Sequence, residues 1–395
     1  MGRVGTDRWR EIADAWRSER AERLTREQLD PADFDRLRAA GLTLLPVPVE
    51  HGGDWVDVAG SVRPICEALR TLAAADPSPT LVSAMHPAVL AFWLANEAEG
   101  CAAWSEQRAA VSASAAGGAQ WGTATSEPGS GGDVTRTRSI AEPLADDDDI
   151  DIPGVRYGIT GDKHFGSGTG ICSYMFTTAI PAGEQQPAAF FLDTRALVGG
   201  GDVAGFNIAK EWDGVGMAAT QSHAVRLDGC RAIRLAWPSP LDALARGAGA
   251  VNMCVFTAVV LGVVDEAISV ADERVRPRAD TLRAYEQVEW VRALNDHWLA
   301  VQAYEGMLRA VESGDATAAL VAGLRGKTVV AELAEQALLR IGRVVGGGTF
   351  SGSSPFSSWF EDVRALGFLR PPWGLAYDGL ITAATAPAHD DTAPA

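Results

Sequence analysis

The chain changes its hydrophobic pattern twice along its length, and this constrains its fold more than any other feature. Residues from about 5 to 115 show helical spacing, with apolar side chains three or four residues apart, as in 9–16. From about 120 to 238, short β-rich runs such as YMFTTAI alternate with Gly, Pro and Asp clusters, which predicts an antiparallel sheet or a small barrel. Long helical segments then return. The sequence therefore predicts a multi-domain α+β protein.

The expected domain boundaries follow from these changes of pattern. We place an N-terminal helical domain at 1–117, a middle β domain at 118–238, a C-terminal helical bundle at 239–382 and a disordered polar tail at 383–395. The bundle contains three long helical segments. They are 241–274, 282–312 and 317–345. The first is apolar nearly all round, so we expect it to be the central helix of the bundle.

Charge and cysteine content exclude several classes of function. The 34 Lys and Arg residues are outnumbered by 51 Asp and Glu residues, giving a net charge of −17 that would repel nucleic acid and anionic membranes. The five cysteines are widely spaced with no CxxC pair, so neither disulfides nor a metal site is expected. The longest apolar run, 251–264, is shorter than the roughly 20 residues that span a bilayer. We expect a cytoplasmic protein.

Four sequence motifs lie at the joints of this organisation. They are FDRLRAAGLTLLPVPVEHGG, WGTATSEPGSGGD, ITGDKHFGSG and RVVGGGTFSGSSPFSSWFEDVRAL. In this order they resemble four signature segments of the acyl-CoA dehydrogenases, including "TEPgaGSD" and "nGxKxwiTn". The resemblance covers nearly the whole chain. It implies the acyl-CoA dehydrogenase fold, with an N-terminal helical domain, a middle β domain and a C-terminal four-helix bundle.

The same resemblance implies a flavin cofactor whose ring contacts the middle domain. A flavin ring needs hydrogen-bonding groups at its N5, O4 and pyrimidine edge, because these atoms gain charge on reduction. Hydroxyls, strand amides and a glycine-rich turn that lets the backbone approach a ligand meet this need. The expected ring contacts are Thr123, Thr125, Ser126, Gly131, Phe165 and Ser167.

The chain departs from the family where dehydrogenases keep their base. In them a glutamate removes the substrate α-proton while the flavin accepts the β-hydride. The resemblance places Ser353 at the commoner position of this glutamate and Ala248 near the alternative one, and neither side chain can abstract a proton. A relocated carboxylate remains an alternative, and the nearby candidates are Asp242, Glu361 and Asp362.

The motifs that hold the FAD tail in the family are also altered. RVRPR at 274–278 stands for "RxxFG", and GFLRPPWG replaces "EGT". Arg274, Gln287, Gly346 and Gly347 survive as expected tail contacts. A weakened grip on the adenine half suggests an exchangeable flavin, FAD or FMN, delivered in reduced form by a separate flavin reductase. The resemblance also implies a homodimer or homotetramer.

One branch of the superfamily, the two-component flavin monooxygenases, shares these departures. Its members lack the glutamate, often have "FxSG" in place of "WiTN", and in some cases use a His from the N-terminal domain with a Ser or Thr near N5. Ser167 in KHFGSG has this position, and His86 in SAMHPAVL is the candidate base, unless it is a structural His in a helix. His164 and His223 are weaker candidates, which alternation along a strand would turn toward solvent.

The expected function follows from these motifs. With His86, Ser167 and Ser353 as the catalytic set, we predict a reduced-flavin-dependent monooxygenase of a small hydrophobic substrate. An acyl-CoA dehydrogenase or oxidase with a relocated base is the first alternative. A catalytically silent subunit with a flavin fold is the second.

Overall fold

The computed structural model describes residues 4–145, 151–369 and 371–386. The described N-terminal part is helical, and its six α-helices are α1 Val4–Ser18, α2 Arg20–Arg23, α3 Pro31–Ala39, α4 Val58–Ala73, α5 Pro77–Leu94 and α6 Ala102–Ala116. The carboxylate of Asp30 accepts a hydrogen bond from the amide of Ala32 and so caps α3. Helix α5 is buried along nearly its whole length.

A seven-stranded sheet forms the middle of the chain. Its strands are β1 Trp121–Thr123, β2 Ile140–Pro143, β3 Arg156–Gly166, β4 Tyr174–Pro181, β5 Ala188–Asp193, β6 Phe206–Lys210 and β7 His223–Arg234, with the short helix α7 Arg195–Val198 after β5. The pairings β4–β2–β3–β7–β5 return to β4 and close a small barrel. This is one of the two arrangements predicted from the sequence. Most pairs are antiparallel, but β4 pairs in parallel with both β1 and β2.

The C-terminal part is a helical bundle around one central helix. Its helices are α8 Leu241–Val275, α9 Ala284–Glu312, α10 Ala316–Val345, α11 Pro355–Gly367 and α12 Trp373–Thr385. Helix α8 packs against α4, α5, α9, α10 and α11, as its all-round apolar sequence predicted. It is long and apolar enough to cross a membrane, but 83% of its most apolar window is buried, as in a core helix. Most of the predicted tail, 387–395, lies outside the described residues.

Candidate functional site

The second and third sequence motifs are brought together beside the barrel. The amide of His164, in β3, donates a 2.7 Å hydrogen bond to the carbonyl of Ser126, just after β1. The ammonium of Lys163 lies 2.5 Å from Oε1 of Glu127. The SEPG and KHFG segments are therefore neighbours in space.

The Lys163–Glu127 ion pair is buried and fully hydrogen bonded. Lys163 also donates to the carbonyl of Thr178 at 2.6 Å, while the Glu127 carboxylate accepts from the hydroxyls of Thr137 and Ser139. Burial alone would raise the pKa of Glu127, but Lys163 and these donors lower the pKa to about 2. The pair therefore anchors the start of the glycine-rich turn to strand β3 of the barrel.

Backbone strain is concentrated at this place. Phe165 has a φ of 56°, Met217 of 54° and Gln221 of 48°, and these are the non-glycine residues with positive φ in the described chain. Phe165 packs edge-on against Trp212, with ring centroids 5.9 Å apart, and its side chain is still 55% exposed. Strain of this kind in bulky residues persists only where the surroundings impose it, and it clusters at functional sites.

A chain of buried hydroxyls runs from the end of β3 into the loop before β7. Oγ of Ser167 lies 2.6 Å from Oγ of Ser222, which lies 2.7 Å from Oγ1 of Thr220. Thr220 donates to the carbonyl of Met217 at 2.8 Å. The sequence analysis did not include Ser222 and Thr220, although the run TQSH just before a β-rich segment offered two hydroxyls there.

The other expected ring contacts lie at the end of β1 and on the segment that follows it. Thr125 is buried, whereas Thr123 and Ser126 are half-buried. Gly131 is exposed with a φ of 63°, and no atom lies within 4 Å of the place where its Cβ would be. This open glycine turn next to hydroxyls fits the polar edge of a flavin ring.

An apolar cleft of about 600 Å³ is lined in part by Trp212. We call it the Trp212 cleft. Trp212, Phe368 and Trp373 are its aromatic walls, and Glu361 and Arg364 on α11 are among its charged groups. Because Trp212 also packs on Phe165, the cleft lies next to the KHFGSG segment. Its size and lining suit a small hydrophobic molecule.

Lys327 holds one wall of the Trp212 cleft. This α10 residue is buried, and its ammonium donates to the carbonyls of Gly367 and Pro371 at 2.8 and 2.7 Å. The ammonium also lies 5.2 Å from the centre of the Trp373 ring. Burial lowers the pKa of Lys327 to about 8. No sequence pattern singled out Lys327, because a lysine within a long helix looks like an ordinary surface residue.

His86 is a structural bridge in this fold. Its Nε2 lies 3.1 Å from the carbonyl of Thr43, and its Nδ1 accepts a 3.1 Å hydrogen bond from the amide of Trp121. Burial lowers the pKa of His86 to about 4, so the ring is neutral near pH 7. Both ring nitrogens are occupied by backbone groups. The expected role of His86 as a base has no support in this geometry, whereas the structural alternative fits it.

The two weaker histidine candidates lie closer to the site. Nδ1 of His223 accepts a 2.9 Å hydrogen bond from the amide of Trp212, and burial lowers the pKa of His223. His223 is half-buried, and its hydrogen bond to Trp212 holds the wall of the Trp212 cleft. His164 is half-buried beside Phe165, with ring centroids 6.2 Å apart.

Neither usual base position carries an acid, and the candidate replacements differ. Ser353 is exposed, with its hydroxyl 3.0 Å from that of Ser351, and Ala248 is buried in α8. Asp242 is exposed and paired with Arg246. Asp362 is buried and accepts a 2.6 Å hydrogen bond from the amide of Met217, while burial raises its pKa to about 7.

The expected tail contacts lie at one end of the helical bundle. There Val275 of α8, Leu282 just before α9 and Val344 of α10 form a small apolar cluster. The Arg274 and Gln287 side chains contact other residues of the protein. Arg274 stacks over the Phe356 ring at 5.1 Å, and Gln287 donates to the carbonyl of Leu282 at 2.9 Å. Gly346 and Gly347 are open, with no atom within 4 Å of where a Cβ would lie. The fit to a flavin ring is therefore better than the fit to its adenine tail.

The three-part architecture is that of the acyl-CoA dehydrogenase-like flavoproteins, as the sequence predicted. FMN-bound TdsC from Paenibacillus sp. A11-2 is similar over 97% of each chain, with a TM-score of 0.79 and 21% identity. TdsC is described as a dibenzothiophene monooxygenase.

Two further solved structures have the same fold. KijD3 in complex with FMN and dTDP-3-amino-2,3,6-trideoxy-4-keto-3-methyl-D-glucose is 22% identical, with a TM-score of 0.79 over 97% of this chain and 93% of that one. A nitrososynthase from Micromonospora carbonacea var. africana is 21% identical, with a TM-score of 0.77 over 98% and 97%. At the sequence level, no protein-family model and no curated protein matches the chain.

Proposed function

We propose that this protein is a flavin-dependent monooxygenase that takes up reduced flavin and acts on a small hydrophobic molecule. The observation that carries this proposal is the position of the strained, exposed Phe165 and the Ser167 hydroxyl beside the Trp212 cleft. Ser126, Phe165 and Ser167 would hold the flavin ring. When bound, the flavin would supply the electron pair that activates oxygen.

Two features support oxygenation rather than desaturation. Ser353 and Ala248 offer no carboxylate at either usual base position. The aromatic walls of the Trp212 cleft suit a planar apolar substrate, and one TdsC structure contains indole with FMN. A monooxygenase needs no base to remove a carbon-bound proton, whereas a dehydrogenase does.

The cofactor we propose is FMN, exchanged with a separate reductase. The TdsC and KijD3 structures contain FMN. Two of the expected contacts to an FAD tail are already engaged within this chain: Arg274 stacks on Phe356, and Gln287 donates to the carbonyl of Leu282, just before α9. FMN lacks the adenine half and so needs no binding groups for it at this end of the bundle.

We also propose a homodimer or homotetramer. Helix α9 exposes a row of apolar side chains that lie three or four residues apart: Tyr285, Val288, Val291, Leu294 and Trp298. Such a stripe on a helix is costly to leave in water, so a second copy of the chain is its proposed cover.

A relocated base remains the alternative because of Asp362. This carboxyl lines a smaller cleft with Val215, Ala219 and Trp359, and its one described hydrogen bond leaves one oxygen free to take a proton. With a pKa raised to about 7, it could abstract a proton near neutral pH.

The deciding experiment combines isotope labelling with anaerobic titration. Protein loaded with photoreduced FMN is mixed with ¹⁸O₂ and an aromatic panel that includes indole. We expect a product that carries one ¹⁸O atom, and a variant with Trp212 changed to Ala should form at least tenfold less. The exposed Val56→Ala variant, away from both clefts, should match the unaltered protein.

Other outcomes would identify the alternatives. Bleaching of bound oxidised flavin by acyl-CoA thioesters without oxygen, lost in Asp362→Asn, would establish the relocated-base dehydrogenase. Failure to bind either oxidised or reduced flavin at millimolar concentration would favour the silent subunit.

A further inference from the structure

The three hydroxyls of Ser167, Ser222 and Thr220 form one unbroken hydrogen-bonded chain. All three residues are buried, with exposed fractions of 4%, 7% and 0%. Within the described chain, these hydroxyls have no side-chain partners except one another. The chain ends at the carbonyl of Met217, 2.8 Å from Oγ1 of Thr220.

The carbonyl at the end fixes the direction of every hydrogen bond in the chain. A carbonyl oxygen can only accept, and a hydroxyl has a single proton to donate. Thr220 therefore gives its proton to Met217 and accepts from Ser222, which in turn accepts from Ser167. Trp212 also donates to the Met217 carbonyl, at 3.0 Å, so only donors surround this oxygen.

Reversing the chain would have a measurable cost. Oγ1 of Thr220 would then face the Met217 carbonyl at 2.8 Å with no proton between the two oxygens. That arrangement would lose one buried hydrogen bond and bring two acceptor oxygens into repulsive contact. The forward direction is thus the more stable one.

The backbone around the chain holds the hydroxyls in place. The amide of Gly168 donates to the carbonyl of Thr220 at 2.9 Å. The side chain of Gln221 accepts from the amide of Leu29 at 3.0 Å and donates to the carbonyl of Thr169 at 3.0 Å. Since the loop is tied on both sides, the hydroxyls cannot move apart to exchange partners freely.

We propose that Thr220 and Ser222 are positioning residues that turn the Ser167 hydroxyl into a hydrogen-bond acceptor and so make the site prefer reduced over oxidised flavin. This inference rests on the proposed function, because it assumes that Ser167 faces N5 of a flavin ring. N5 of reduced flavin carries a hydrogen and donates. N5 of oxidised flavin is an acceptor, and two acceptors facing each other repel.

The test compares the dissociation constants of oxidised and photoreduced FMN, both measured without oxygen. In Thr220→Val, which keeps the side-chain shape but removes the hydroxyl, Ser222 loses its acceptor and the chain loses its direction. We expect the ratio of the oxidised to the reduced dissociation constant to fall about three- to tenfold, the equivalent of one hydrogen bond. A tenfold fall corresponds to a reduction potential of the bound flavin about 30 mV lower.

Three further variants complete the test. Ser222→Ala should lower the ratio like Thr220→Val, and it serves in its place if the valine variant does not fold. Thr220→Ser keeps the hydroxyl and should give the same ratio as the unaltered protein. Thr194→Val removes another fully buried hydroxyl, which donates to the carbonyl of Cys172 at 2.7 Å, and should leave the ratio unchanged.

The outcomes separate this inference from the proposed function. If FMN binds and the ratio is the same in Thr220→Val, Ser222→Ala and the unaltered protein, the inference is wrong while the flavin site stands. An equal fall in Thr220→Ser would also overturn it, because shape rather than the hydroxyl would then matter. If neither form of FMN binds to the unaltered protein, the proposed function fails and the inference fails with it.

Discussion

The ammonium of Lys163 lies 2.5 Å from Oε1 of Glu127, and this buried ion pair joins the two motifs that form the candidate site. Changing Lys163 to Met would leave a carboxylate buried without its counter-charge. We expect the free energy of unfolding to fall by about 3–5 kcal/mol, measured by urea denaturation.

Two controls make this first prediction specific. Arg226→Met breaks the exposed Arg226–Asp162 pair, which solvent screens, and should leave the free energy of unfolding nearly unchanged. Replacing both members of the buried pair, with Lys163→Met and Glu127→Leu together, should cost less than Lys163→Met alone. A loss below about 1 kcal/mol in the single variant would contradict the buried-pair account.

The same carboxylate predicts how stability depends on acid. The pKa of Glu127 is lowered from 4.5 to about 2, so its contribution is complete above pH 4.5 and is lost as the pH falls toward 2. In Glu127→Gln this part of the acid dependence should disappear. Unfolding curves recorded between pH 5 and the lowest pH at which the protein stays folded would test it, and equal slopes for the two proteins would refute it.

Replacement of His86 tests the structural role given to it here. His86→Gln would disturb the hydrogen bonds to Thr43 and Trp121, and we expect about 1–3 kcal/mol of destabilisation. Because its pKa is lowered to about 4, the unfolded chain takes up a proton between pH 6.5 and 4 that the fold does not. The free energy of unfolding therefore decreases as the pH is lowered through this window, and it should decrease less steeply in His86→Gln.

The activity of the same variant distinguishes the two roles of His86. If reduced FMN binds to folded His86→Gln and turnover stays within about threefold, the residue is structural. A loss of about a hundredfold or more, of the size typical of a missing acid or base, would restore its catalytic role. His51→Gln, at a half-buried histidine that ends the short 3-10 helix Val49–His51, is the matched control.

Ser353 is expected to contribute little to catalysis. Its side chain is exposed and interacts with Ser351, so Ser353→Ala should change turnover by less than about twofold. For the same reason, Ser353→Glu should not create an acyl-CoA dehydrogenase. Bleaching of bound flavin by an acyl-CoA in Ser353→Glu, measured under anaerobic conditions, would show that this loop reaches the flavin.

The exposed stripe of α9 predicts an assembly that charge can disrupt. Val291 and Trp298 are 54% and 60% exposed. A double change to Glu should lower the mass measured by light scattering, because two like charges would face the same charges on the partner. Val56→Glu, at an isolated apolar residue that is 68% exposed, should leave the mass unchanged. A monomeric unaltered protein would contradict this prediction.

Local pattern and motif spacing predicted the three-part fold and part of the candidate site. The alternation of helical and β-rich segments gave the three-part fold, and the all-round apolar sequence gave the central position of α8. The motifs around Ser126 and Phe165 pointed to one site, since residue types that turn a backbone tightly or donate hydrogen bonds are visible in sequence. The absence of a glutamate at Ser353 was visible in the same way.

Only the tertiary structure decided which side chains meet. His86 changed from a candidate base to a bridge between Thr43 and Trp121, because both of its partners are backbone groups from distant segments. Thr220 gained importance from a carbonyl that fixes the direction of its hydrogen bond. Lys327 became part of a cleft wall. Burial, hydrogen-bond direction and pKa depend on neighbours remote in sequence, so a linear pattern cannot contain them.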